Sequence, residues 1–494
     1  MAPPLLPLVV AAAAAAGVAG AWSYAGVTGM PPVAYDFQLT TSSSGSSGGD
    51  VVYRFGGRVW DANTQTETSR NDVYAFDGAA WSVVHPGTMG DAAVGGAAPL
   101  PPVSAGAAPG RRAGACVGMW GGSLVVAFGS ARDGGGAVNY ADVWTLPVNG
   151  TATGATWVHR AVASGSSTPP GRSTAACGIV GDKLVVFGGY AVGTESVLGD
   201  TWVLDLVSMT WGSVAQHARA GTPSATPPAT FGAAAGIVSP GWLVVAGGLT
   251  PHGDGSLVFM TAMYALALDA GTPAGASPCT WVHVPLSGTV PTRALGGGFV
   301  WAGTRLCVAS GVQAIVSNSA VDYADGTTCC EVAPYLAYVA AQGGGGGAGR
   351  LRRLRRSLQA QPLPPAAVAP TVAWRYWGPD VGLNPSPRMR PGATAYSPAA
   401  GGGAVWELIA GGVDTSGMDR DAYTAPLPAF PDSWRDLPTP PSYNLLALFG
   451  YFLYGGGILL LSIVCLICAA RRMAPCMRPY RADALARAEA EAAV

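Results

Sequence analysis

Charge is the scarcest commodity in this chain. Charged residues make up 11% of its 494 positions, less than half the usual share. Lys183 is the sole lysine, and arginine carries nearly all the positive charge. The formal net charge is −1, so no global field gathers nucleic acid, which excludes that class of partner. Only 5 histidines are present, and no P-loop, nucleophile elbow or zinc-binding helix motif occurs. What the chain has instead is Ala, Gly, Pro and Arg, the bias of a GC-rich genome. The 49% hydrophobic fraction therefore overstates the packed core, because alanine supplies much of it.

Charge is also missing from two long stretches. Leu8 to Gly20 is apolar and alanine-rich, and Ala19-Gly20-Ala21 is a small-x-small cleavage signature before Trp22. Residues 1–21 thus have the form of a signal peptide, although Lys and Arg are absent from its start. Leu437 to Ala470 holds no charged residue, and Leu445 to Ala470 is a predominantly apolar run of 26 residues. About 20 suffice to cross a bilayer as a helix. Arg471, Arg472, Arg478 and Arg481 follow, which places the C-terminus in the cytosol by the positive-inside rule. The expectation is a single-pass type I protein, with a transmembrane helix over 443–470, a cytosolic tail over 471–494 and the rest extracellular or lumenal. Cys465, Cys468 and Cys476 flank this boundary as candidates for palmitoylation.

Between these stretches a unit recurs at a spacing of roughly 50 residues. Six apolar runs end in a small pair: Gly56-Gly57, Gly129-Ser130, Gly188-Gly189, Gly247-Gly248, Ser310-Gly311 and Gly411-Gly412. An acid and an aromatic follow in most copies, as Asp72/Tyr74, Asp142/Trp144, Asp200/Trp202 and Asp421/Tyr423; Tyr264 stands without the acid. A tryptophan closes each unit: Trp81, Trp157, Trp211, Trp281, Trp374 and Trp434. Short strands separated by Gly/Pro turns, four to a unit, are the composition of a propeller blade. Glycine suits the sharp turn after the second strand, and tryptophan offers a large face to the gap between blades.

These marks, with the leads Pro109-Gly-Arg111, Pro170-Gly-Arg172 and Pro291-Thr-Arg293, resemble the kelch family of β-propellers over about Val51 to Leu437. Unit four departs from the pattern, with Pro228-Ala-Thr230 where the lead arginine belongs. The resemblance implies an all-β fold, a six-bladed propeller over 51–438, followed by one C-terminal transmembrane α-helix. Residues 22–50 are expected to be a flexible segment holding a closing strand, with Val33 to Thr40 as the first strand of blade one. The alternative is that Trp22 belongs to an extra outer strand. In unit five the third strand is expected at Tyr335 to Val339, before a disordered low-complexity insertion at about 342–370.

Candidate chemistry is sparse. His85, His159 and His283 recur after the closing tryptophans, the mark of an outer-strand surface position rather than a converging metal site. Asp72, Asp142, Asp200 and Asp421 recur once per unit and are read as strand-opening residues bonding to loop backbone. Galactose oxidase shares the kelch-type ring, but no histidine-bearing motif matching its copper site is present. Six ectodomain cysteines permit three disulfides. Cys116 and Cys177 take equivalent inner-strand places, where cysteine reads first as a small buried residue and a bond between them is the alternative. Cys279, Cys307, Cys329 and Cys330 cluster about the irregular fifth unit, where a bond from Cys279 or Cys307 to the vicinal pair is expected. Asn149-Gly-Thr151 is a glycosylation sequon. Arg350 to Arg356 is either a solvated loop, a dibasic processing site or a patch for acidic glycans.

No catalytic, cofactor or metal residue is assigned, and no cofactor is expected. The leading expectation is a non-enzymatic membrane propeller that binds a protein or glycan through the loops joining second and third strands. Its rivals are an extracellular oxidase or carbohydrate-acting enzyme, and a purely structural surface protein.

Overall fold

The computed structural model describes residues 23–24, most of 31–342, and the later strands at 372–377, 392–397, 406–410, 413–414, 417–418, 422–426 and 435–436. The chain divides into two units, Met1–Leu437 and Pro438–Val494, and only the first contains described residues. Among these no helix is long and apolar enough to cross a membrane. The 1–21 and 443–470 stretches, the insertion, Cys465, Cys468, Cys476, Asn149, Gly411, Gly412, Asp421 and Trp434 lie outside them.

The first unit is an all-β propeller, and six of its sheets have at least four strands. Sheet 3 shows the pattern: Ala176–Val180, Lys183–Ala191, Ser196–Asp205 and Thr210–Val214 form an antiparallel meander. Sheet 1 is Gln38–Ser42, Val51–Asp61, Thr66–Phe76 and Trp81–His85. Sheet 2 is Cys116–Trp120, Ser123–Ala127, Val143–Pro147 and Val158–His159. Sheet 4 is Ala234–Val238, Trp242–Ala246, Met263–Ala267 and Trp281–Val284. Sheet 5 is built on Gly298–Ala302, Arg305–Ala309, Thr327–Glu331 and Val372–Trp377, and sheet 6 on Gly392–Tyr396, Trp406–Ala410 and Ala422–Pro426. The first strand of each lies against the first strand of the next, and Gly392–Tyr396 of sheet 6 lies back against Gln38–Ser42.

Packing explains why the second strands are continuous apolar runs rather than alternating ones. Each sheet is pressed between two neighbours, so both of its faces are buried. Leu184, Val185, Val186 and Phe187 are all buried, as are Leu243 to Ala246. One core joins Tyr53, Phe55 and Val73 of sheet 1 to Leu124, Val126 and Trp157 of sheet 2. The next two repeat the arrangement between sheets 2 and 3 and between sheets 3 and 4. The closing tryptophan reaches back each time: Trp157 meets Phe55, Trp211 meets Phe128 and Trp281 meets Phe187, with ring centroids 5.7, 5.6 and 5.0 Å apart.

Three expectations are corrected and one alternative is met. The first strand of sheet 1 is Gln38–Ser42 rather than Val33 to Thr40. The alternative of an extra outer strand at the N-terminus is met by the residues next to Trp22: Ser23–Tyr24 pairs with Ala422–Pro426 as the outermost strand of sheet 6. The chain just after Trp434 does not complete sheet 6; Arg435–Asp436 pairs with Val372–Trp377, the fourth strand of sheet 5. That strand also takes Leu286–Ser287 in parallel on its edge.

The third correction concerns Tyr335 to Val339, which is helical. The third strand of sheet 5 is Thr327–Glu331, and a helix spans Ala333–Gln342. Pro334 suits a first helical turn, where its missing N–H costs nothing, and Glu331 Oε1 accepts from the Ala333 N–H at 3.2 Å. Tyr335 and Leu336 then bury against sheet 4, and Tyr335 Oη donates to the His283 carbonyl at 2.7 Å.

Candidate functional site

The repeated acid, aromatic and arginine of the sequence assemble into the same bracket in sheets 2 and 3. In sheet 3 Arg172, fully buried, donates to both oxygens of Asp200 at 2.7 and 2.9 Å. It also donates to the carbonyls of Gly188 at 2.9 Å and Pro170 at 3.2 Å, while Trp202 Nε1 donates to Asp200 at 2.6 Å. Sheet 2 repeats every contact with Arg112, Asp142, Phe128, Gly110 and Trp144. The acids thus pair with arginine rather than with loop backbone. The arginine in sheet 2 is Arg112, not Arg111, because Gly110 occupies the place of Pro170. Burial alone would raise the carboxyls of Asp142 and Asp200. Hydrogen bonds and charge from the arginine, helped by the tryptophan, outweigh it and hold both below the usual carboxylate range.

The same geometry corrects the glycine pair of sheet 2. Gly57, Gly129 and Gly189 occupy equivalent places, each donating its N–H to the chain that leads into the next sheet. The residue before each has a left-handed backbone: Gly56 at φ +61°, Gly188 at +64° and, in sheet 2, Phe128 at +60°. The pair there is Phe128-Gly129 rather than Gly129-Ser130. Phe128 bears the strain because its ring is buried against Trp211.

Sheets 1 and 4 depart from the bracket in different ways. In sheet 4 arginine and acid are lost together: Thr230 stands in the arginine's place and bonds the Pro228 carbonyl at 2.7 Å and Met260 Sδ at 3.7 Å. Removing both partners avoids an unpaired buried charge. In sheet 1 the guanidinium arrives from the second strand: Arg54 donates to the Pro32 carbonyl at 2.9 Å and stacks on Phe37, 4.5 Å from its centroid. Burial draws Arg54 down to about 10, against the opposing charge of Asp72. Asp72 itself takes Arg70 as its partner at 2.5 Å.

Beyond the glycines the second and third strands continue outward as hairpins in all six sheets. Sheets 1 and 3 do so within their long strands. The others form Ser130–Arg132 with Ala137–Asn139, Leu249–Pro251 with Leu257–Phe259, Val312–Ser317 with Ala320–Tyr323, and Val413–Asp414 with Gly417–Met418. The expected loops are therefore a crown of hairpins on one face. Side chains stitch neighbours together. Arg58 bonds Glu67 and Ser130 Oγ at 3.2 Å and approaches Asp36 at 3.6 Å. Asn139 bridges to Tyr190 O at 3.3 Å and Val192 N at 2.5 Å, and Tyr190 packs on Phe231, centroids 5.4 Å apart. Above this base Val138, Leu257 and Val258 are 53%, 46% and 39% exposed.

The chain matches the KLHDC2/KLHL20/DRC7 Kelch-repeats domain family over residues 46–311. It belongs to the Kelch-repeat family. No curated protein matches the chain significantly. Kelch-repeat propellers are generally non-enzymatic domains that bind proteins. In this Kelch chain, no three His, Cys, Asp or Glu side chains among the described residues converge to hold a metal. His159 and His283 are exposed and lean on Trp144 and Tyr264. His85 is buried instead, accepts from the Gly87 N–H at 3.2 Å, and burial lowers its pKa despite Asp72.

Two cystines are present among the described residues, Cys116–Cys177 and Cys307–Cys329, with Cys330 a buried free thiol. Cys279 lies outside them. Cys116 and Cys177 are not equivalent: with Arg112 matched to Arg172, Cys116 aligns with Ala176. Side chains alternate along a strand, so identical places would both point the same way round the ring. The one-residue offset turns these two toward each other.

Proposed function

We propose that this Kelch chain is a non-enzymatic, six-bladed, membrane-anchored propeller whose hairpin crown binds a protein partner. Counting each sheet of four or more strands as a blade gives six, with blade six completed by Ser23–Tyr24. The signal-like start, the apolar 443–470 run and the two cystines together support a type I orientation in an oxidising compartment. One observation carries the binding reading above the others: the crown is preorganised by Arg58, Asn139 and Tyr190, yet leaves Val138, Leu257 and Val258 in water. Exposed apolar side chains on a rigid frame favour a protein surface over a glycan.

The test is cross-linking capture by the tagged full chain in its own cells. Replacing Val138 and Leu257 by Asp should abolish the captured partner. Replacing Val207, 65% exposed in a turn at the other end of sheet 3, should leave it. Capture that survives the crown changes and fails with Val207→Asp would move the binding face and overturn the reading.

A further inference from the structure

The crown is not uniform, and the part of it formed by sheets 2, 3 and 4 narrows the chemistry of its partner; this step rests on the crown being the binding face. The apolar exposure is concentrated there. Val138 stands on the hairpin of sheet 2, and Leu257 and Val258 on that of sheet 4. Leu257 and Val258 are consecutive, so they point to opposite faces of the Leu257–Phe259 strand. Both are nonetheless exposed, so that hairpin stands free on two sides. The hairpin of sheet 3 lies between them and exposes residues 193–196 at its tip. Three adjacent, tied hairpins thus present a ridged apolar surface that no described part of the chain covers.

At the tips of the same hairpins the exposed carboxylates are Glu195, on that of sheet 3, and Asp254, on that of sheet 4. Asp254 accepts from Ser256 Oγ at 2.6 Å and the Ser256 N–H at 2.9 Å and lies 3.2 Å from His252 Nδ1, contacts that hold its carboxyl below the usual range. The remaining hairpins place Asp61, Asp322 and Asp414 within their strands. Against these five acids the outer parts of the hairpins, among the described residues, contribute Arg132 on the sheet 2 hairpin and His252 beside Asp254. Arg58, nearer the base, is committed to Glu67, Asp36 and Ser130. Lys183, the sole lysine, pairs with Asp205 at the opposite end of its sheet. An acidic rim around exposed aliphatic side chains complements a cationic, aliphatic partner and repels an acidic one.

We infer that the hairpins of sheets 2, 3 and 4 dock a cationic amphipathic segment of a partner protein, with Leu- or Val-type side chains on Val138, Leu257 and Val258 and Arg or Lys beside Glu195 and Asp254.

Three synthetic 14-residue peptides test it against the purified full-length chain by calorimetry at low and physiological salt. One alternates Arg with Leu, one Arg with Ser, and one Glu with Leu. The Arg/Leu peptide should bind at least tenfold more tightly than either control and weaken as salt rises. Glu195→Arg with Asp254→Arg should cut that affinity tenfold or more, as should Leu257→Ser with Val258→Ser. Val207→Ser at the opposite end should leave it unchanged and shows that the surface variants report on site rather than fold. Equal binding of all three peptides, binding indifferent to the crown substitutions, or no binding overturns the inference. So does self-association of the chain that Leu257→Ser abolishes, which would assign the face to a second copy. If the peptides fail while Val138→Asp and Leu257→Asp still abolish cross-linked capture, the binding face stands and only the partner chemistry falls.

Discussion

Arg112 and Asp142 are thirty residues apart in sequence and 2.5 Å apart in space, and the difference between those two separations is why the sequence could display them without joining them. The acid is conspicuous alone, two residues before Trp144, but the arginine directly after Pro-Gly is Arg111 and the pairing belongs to its neighbour Arg112. Their pairing depends on strand register, which composition does not carry. The joint loss in sheet 4, where Thr230 replaces the arginine and Ala262, two residues before Tyr264, replaces the acid, is the available clue, because a buried guanidinium and its carboxylate tend to go together. Removing one member is expected to be costly: Asp142→Asn leaves the fully buried Arg112 uncompensated, at about 3 kcal/mol. Arg112→Met with Asp142→Leu should cost less than the single change, as a denaturant double-mutant cycle would read. The pH dependence has a definite sign. A carboxyl held below its ordinary 3.8 contributes stability that is complete above that value and is lost as pH falls through the lower folded pKa. Asp142→Asn should therefore flatten the acid limb of stability below about pH 4. Gly188 makes a second residue-scale prediction. A Cβ there would stand 2.3 Å from the Thr230 carbonyl at a left-handed φ, whereas at Gly121 it would meet nothing within 4 Å. Gly188→Ala should cost about 2 kcal/mol or more, and Gly121→Ala about 1 kcal/mol from backbone strain alone, both measured by chemical denaturation.

At the scale of elements, the second strands were plain because burial on both faces writes an unbroken apolar run, as in Lys183-Leu-Val-Val-Phe187. The hairpins beyond them were not, because stretches such as Ser130 to Asn139 are small, polar and glycine-rich, the composition of a loop. The Ala333–Gln342 helix was mistaken for a strand because Tyr-Leu-Ala-Tyr-Val satisfies either period over so short a run. Pro334 was the discriminating residue. The shortest element is the most exposed to test. Ser23–Tyr24 contributes two residues to the edge of sheet 6, with Tyr24 opposite Tyr423. Proline at 24 removes a ladder N–H and fixes φ. Tyr24→Pro is expected to raise hydrogen exchange in Ala422–Pro426 by tenfold or more, while Lys183–Ala191 in sheet 3 keeps its protection. Unchanged exchange in Ala422–Pro426 would mean that this strand does not hold the edge.

For the whole molecule, the ring was legible in the count of units and obscure in its seams. The N-terminal strand joins sheet 6 and the last described strand joins sheet 5, so no unit of sequence coincides with the final blade. Backbone bonds run round the mouth irrespective of those seams: Gly114 donates to Asp36, Thr174 to Gly114 and Gly232 to Thr174, at 2.8–3.0 Å. Cys116–Cys177 adds a covalent tie between the inner strands of sheets 2 and 3. Closing a loop of 61 residues withdraws about 4 kcal/mol of chain entropy from the unfolded state. A tie of that kind persists in an oxidising compartment and not in a reducing cytosol, which links the propeller to the proposed membrane topology. Intact cells expressing the full chain with a tag after Val494 supply the measurement. External protease should consume the propeller and leave the tag on a protected fragment carrying the 443–470 run. Maleimide added before lysis should fail to label Cys116 or Cys177 until reductant is present. A tag destroyed while the propeller survives would reverse the orientation, and free thiols at both cysteines would place the ring in the cytosol, where the crown would have to find a different set of partners.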